Sequence, residues 1–151
     1  MIRRHPVLSI LTLVYLVAVG LVTLTPQTDL GPDSLTRRIV AVITSTPLTS
    51  WMTYDGIEFT ANIVMFVPMG LLFTLLLGPR RWWLALAIGI AATCFIEFAQ
   101  LFLPGRVSDV RDLIANSLGA LVGVGVGVAV RQSWRSRPPV LVREYRGPDT
   151  R

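Results

Sequence analysis

Four separate stretches of this chain, residues 7–24, 59–77, 82–103 and 113–130, are each apolar over about the length of a lipid bilayer's core. A spanning helix needs about 20 mostly apolar residues. Inside hydrocarbon, every backbone N–H and C=O must find a partner within the protein, and a helix satisfies them within one segment. The expected fold is therefore all-α: an integral membrane four-helix bundle. Composition agrees, because charged residues make up only 15% of the chain, against about 25% in an ordinary soluble domain.

The first run follows Arg3 and Arg4 and contains Ala18, Val19 and Gly20, a weak signal-peptidase site. Its length and the three runs after it favour a retained anchor. The net charge is +5, and every basic side chain apart from His5 is arginine. Ten arginines flank one side of the expected spans: Arg3, Arg4, Arg80, Arg81, Arg131, Arg135, Arg137, Arg143, Arg146 and Arg151. The other side has Arg37, Arg38, Arg106 and Arg111, with Asp29, Asp33, Asp55, Glu58, Asp109 and Asp112 among them. The positive-inside rule then places both termini in the cytoplasm, with a long extracytoplasmic loop between the first and second spans. Within that loop, residues 35–43 read as a short amphipathic helix at the membrane surface. The membrane domain is expected over residues 1–134, and residues 135–151 read as a basic, disordered cytoplasmic tail. No basic face interleaved with aromatics points to nucleic acid. One cysteine, Cys94, and one histidine, His5, exclude an intrachain disulfide, a cysteine-based zinc site and a Ser-His-Asp triad.

The functional signal is polarity in the wrong place. Glu97 and Gln100 interrupt the third run, Asn62 lies in the second, and Asn116 lies near the start of the fourth. Given the antiparallel order, all fall within one or two helical turns of the same membrane face. Glu97 and Gln100 are i and i+3, so they share a helix face. Asp109, Asp112 and Asn116 form a second stripe if the fourth helix begins near Ser108. Ser108 or Asp109 is the expected N-cap, and Pro104-Gly105 the turn before it. A carboxylate in a span is costly, with insertion scales near about 3 kcal/mol at the centre, and normally faces a bundle interior with a partner. Arg106 is the evident candidate partner for Glu97. The bland alternative is an internal clamp, in which these bonds only fix helix packing at about 1 kcal/mol each.

These residues carry a resemblance. Asn62, Phe66, Pro68 and Gly70, then Glu97 and Gln100, Pro104 and Arg106, Asp109 and Asp112, and Asn116 and Gly119 are similar in kind and order to the VanZ-like family of small bacterial membrane proteins. The resemblance implies a multispan protein of the bacterial cytoplasmic membrane, and its namesake is linked to teicoplanin resistance. It implies no settled reaction.

The expected site lies at the extracytoplasmic face and binds or acts on an anionic envelope molecule: a lipid-linked wall intermediate, a phospholipid or a glycopeptide. Glu97, Asp109 and Asp112 are the candidate catalytic groups, with Glu97 as acid or base in a desolvated position. Asn62, Gln100, Arg106 and Asn116 are the candidate binding groups, Arg106 taking phosphate or carboxylate. Asp109 and Asp112 have the oxygen ligands a divalent cation takes, but the motif is short, and no metal or cofactor is assigned. The rival readings are a structural membrane subunit and, less well supported without a repeat, a transporter. Expected partners are membrane lipids, and a second copy docking through the stripe of Gly119, Gly123 and Gly127, although packing within the bundle explains that stripe better. Cys94 reads as a small buried apolar residue.

Overall fold

The computed structural model describes residues 6–25, 45, 53–106 and 108–135. It contains α1 (Pro6–Leu24), α2 (Tyr54–Leu77), α3 (Trp82–Gln100) and α4 (Val110–Arg135), with a single 3-10 turn at Pro79–Arg81 joining α2 to α3. All four long helices have the length and apolar composition to cross a membrane. No strand occurs among the described residues. The expected surface helix at residues 35–43 and the tail from residue 136 lie outside the described residues.

Helix boundaries follow local chemistry. α2 begins five residues before the apolar run does, because Thr53 caps it: its Oγ1 accepts the Gly56 N–H at 3.2 Å. Asp55 in the first turn suits the positive end of the helix dipole. α2 stops at Gly78, whose φ of +84° is open to glycine at no steric cost. α3 ends three residues earlier than the apolar run, at Gln100, and Gly105 (φ +74°) completes the reversal toward α4. Of the two expected caps of α4, Asp109 takes the role, with Oδ1 accepting the Arg111 N–H at 2.9 Å.

The bundle is organised around contact between α2 and α4 at backbone distance. A Cβ placed on Gly123 would sit 2.0 Å from the Val67 carbonyl oxygen, one on Gly119 2.2 Å from that of Ile63, and one on Gly70 2.0 Å from that of Ala120. Gly127 packs against Thr74, and Gly89 of α3 meets Ala120 from the other side. The small-residue stripe of α4 is thus filled by α2 of the same chain. A second copy could reach Gly119, Gly123 and Gly127 only by displacing α2, which corrects the docking role considered for that stripe.

Phe66, Met69, Ile96, Ala120 and Val19 form the apolar core, one or more from each helix. α1 joins it at Val19, and the Tyr15 hydroxyl donates to the Met65 carbonyl. Most large side chains of α1 remain exposed, as a lipid-facing helix requires. Trp82, Trp83 and Trp134 are exposed near helix ends, where interface anchors belong. Cys94 is exposed rather than buried, on the side of α3 that also presents Phe95 and Phe98. Its apolar neighbours in sequence face lipid, not the bundle.

Close packing makes a test with its own control. Gly123→Ala drives a methyl into the Val67 carbonyl, and overpacking of this kind costs about 1–3 kcal/mol. Gly125→Ala, which meets nothing within 4 Å, should leave stability within about 0.5 kcal/mol. Thermal unfolding of the two variants in one detergent should separate them clearly; equal melting temperatures would refute the tight α2–α4 contact.

Candidate functional site

The polar residues gather at the end of the bundle where α2 and α4 begin and α3 ends. Glu97, 8% exposed, sits one turn inside the α3 terminus. Its Oε2 accepts the Ser108 hydroxyl at 2.8 Å and the Asp109 backbone N–H at 3.0 Å. A buried carboxylate thereby satisfies one of the unpaired N–H groups at the start of α4 and holds the 101–109 turn onto α3.

Arg106 does not pair with Glu97. Its Nε donates to the Thr25 carbonyl at 3.2 Å, and Nη2 donates to the Val22 carbonyl. These are carbonyls at the C-terminal end of α1, which no residue of that helix can satisfy and where the dipole favours a cation. Competition decides the partners: Ser108 and Asp109 are already in reach of Glu97 through the turn, while the end of α1 offers Arg106 two acceptors. Burial pulls the Arg106 guanidinium below its ordinary value, and the charges of Glu58 and Asp112 act against that.

Gln100 and Asn116 also join helices. Gln100 Nε2 donates to the Thr23 carbonyl of α1 at 3.0 Å, and Asn116 Nδ2 donates to Thr93 Oγ1 of α3 at 2.9 Å. Both side chains are more than nine-tenths buried, and Gln100 Oε1 and Asn116 Oδ1 have no hydrogen-bond partner among the described residues. Asn62 of α2 lies beside Asp112 of α4, where its amide favours the charged carboxylate.

The remaining groups open to the surface. A cleft of about 130 Å³ between the first turns of α2 and α4 is lined by Asp55, Glu58, Phe59, Asp109, Arg111 and Asp112. Arg111 Nη1 pairs with Asp55 Oδ2 at 3.1 Å across its rim, with both side chains more than half exposed. Such a pair contributes at most about 1 kcal/mol. The candidate residues therefore divide. Asp109 and Asp112 line the cleft, and Asn62 supports Asp112. Glu97, Gln100 and Asn116 connect helices, and Arg106 joins the turn to α1. Asp55 and Glu58 were not singled out as site residues in the sequence. The available signal was spacing: Asp55, Glu58 and Asn62 follow i, i+3, i+7 and so share one face of α2. Among the described residues, no group of three Asp, Glu, His or Cys side chains is placed to hold a metal ion.

Fold and site together define a small helical membrane protein with a polar cluster at one end of its bundle. The family model VanZ/LLP1 matches residues 12–131, and the chain belongs to the VanZ-like family. No curated protein and no solved structure matches it.

The geometry ranks substitutions. Glu97→Ala leaves the Ser108 hydroxyl and the Asp109 N–H without an acceptor and should cost about 1–3 kcal/mol, whereas Glu97→Gln keeps an acceptor oxygen and should cost less. Arg106→Met should speed hydrogen exchange in the last turn of α1 while leaving α2 and α4 protected. An Arg106→Met exchange map identical to wild type would show that the turn does not hold α1.

Proposed function

We propose that this VanZ-like protein binds the polar head of a cell-envelope molecule at the cleft between the first turns of α2 and α4. The arginine distribution supports placing that end outside a bacterial cytoplasmic membrane, with both termini inside. The observation that carries the reading is the cleft itself: about 130 Å³ of polar-walled space at the level where a bundle meets lipid headgroups. Lipid-linked wall intermediates, phospholipids and glycopeptides all present their heads there. The link of the family's namesake to teicoplanin resistance makes the first and last of these worth testing early, and a contribution to resistance would follow from holding either.

The walls refine the anionic ligand expected from the sequence. Asp55, Glu58, Asp109 and Asp112 surround the space, Arg111 is paired with Asp55, and Arg106 gives two donors to α1. A purely anionic head would meet carboxylates. A head that also carries an amine fits better, its ammonium among the carboxylates and its phosphate toward the Arg106 side. Glu97 serves this site by positioning Asp109, not by proton transfer, because its Oε2 is held in the turn. A second reading has its own support: the Glu97–Ser108, Gln100–Thr23 and Asn116–Thr93 bonds would suit a purely structural cluster in a membrane subunit.

Ligand-induced thermal shifts in nanodiscs separate the two. An amine-bearing envelope lipid should stabilise the wild type, and its N-acetylated form should not. Glu58→Gln and Asp112→Asn should each lower the affinity read from the shift about tenfold, the scale of one charge-assisted hydrogen bond. Absence of a shift with any amine-bearing lipid, wall intermediate or teicoplanin would leave the structural reading.

A further inference from the structure

At the opposite end of the bundle, α1 stands away from the C-terminal turns of α2 and α4. The groove between them is about 450 Å³ and is lined by Val7, Leu8, Leu11, Leu75, Arg131 and Trp134, together with Pro6. Its walls are apolar apart from one charged group, Arg131, and one interfacial aromatic, Trp134. Arg131 is half-buried. Its Nη2 donates to the Leu75 carbonyl in the last turn of α2, an acceptor no residue of α2 can reach. Its Nε–H is buried without a hydrogen-bond partner among the described residues. A guanidinium that lines an apolar trough suits an oxygen acceptor whose remaining mass is hydrocarbon. Arginine's fork is suited to phosphate, and tryptophan is enriched at the depth where lipid heads meet chains.

We propose that this groove is a binding site for an anionic glycerophospholipid of the leaflet at that end. Its phosphodiester is held by Arg131, and one acyl chain lies along Val7, Leu8 and Leu11 against Leu75. The site is separate from the cleft between α2 and α4 and does not depend on how that cleft functions. It fits the position of Arg131 among the arginines that mark the cytoplasmic side. It also gives a partner to the loosely packed end of α1, whose other end is fastened by Arg106 and Gln100.

The test uses the full chain in detergent and compares phosphatidylglycerol, a diacylglycerol with the same acyl chains, and inorganic phosphate, by retained mass in native mass spectrometry and by melting temperature. Phosphatidylglycerol should be retained and should raise the melting temperature. The diacylglycerol should bind about tenfold more weakly or worse, the scale of a lost charged hydrogen bond, and phosphate alone should give no shift. Arg131→Gln should lower phosphatidylglycerol binding to the diacylglycerol level, and Arg80→Gln, an exposed arginine at the same end, should not. Leu11→Trp should fill the groove and weaken both lipids with Arg131 intact, so the proposal stays testable if Arg131→Gln does not fold. Equal binding of the two lipids, equal loss in the two arginine variants, a full shift from phosphate alone, or unchanged phosphatidylglycerol binding in Leu11→Trp would each overturn it.

Discussion

The contact between α2 and α4 at glycine distance sets the geometry of everything else. Lipid gives helices no hydrophobic reason to associate, so packing must come from closely fitted surfaces and interhelical hydrogen bonds. Gly70 on one helix and Gly119 and Gly123 on the other let backbone meet backbone. Two consequences follow. The first turns of α2 and α4 are brought side by side, which puts Asp55 and Glu58 opposite Asp109 and Asp112. The same approach brings Asn62 beside Asp112. A wider helix pair would open the cleft and separate those groups.

The polar groups near this end follow from a rule specific to lipid: an unpaired hydrogen-bonding group has no water to turn to. Glu97 therefore reaches the nearest unpaired donors, which are the N–H and hydroxyl of the turn that starts α4. Arg106 reaches the nearest unpaired acceptors, the terminal carbonyls of α1. Each charged side chain completes a helix end that its own helix cannot complete. This explains why the two do not pair with each other despite opposite charge. It also explains how a short turn fixes three helices at once: α3 through Glu97, α4 through Asp109, and α1 through Arg106.

Much of this was legible in the sequence. Hydropathy located the four helices, because a span has to be apolar along its length, and the polar cluster's level followed from antiparallel order and rise per residue. The cap at Asp109 followed from residue type. Pairing was not legible. Charge suggested Glu97 with Arg106, but partner choice depends on which backbone groups are left open at helix ends, and those become visible only once boundaries are known. Thr53 illustrates the boundary problem: capping carries α2 out past the apolar run into polar sequence, and that extension brings Asp55 and Glu58 into the cleft. Cys94 fails for a related reason. Apolar sequence in a membrane helix does not distinguish a side facing lipid from one facing protein.

The two ends of the bundle solve opposite problems. Where α2 and α4 begin, helix dipoles present positive ends, and the chain supplies carboxylates in excess. Where they end, the dipoles are negative, and Arg131 reaches back to a terminal carbonyl of α2. α1 is tied to the first end by Arg106 and Gln100 and at mid-length by Tyr15. The same backbone rule thus puts an arginine at each end of the bundle to serve a neighbouring helix: Arg106 at the end of α1 and Arg131 at the end of α2.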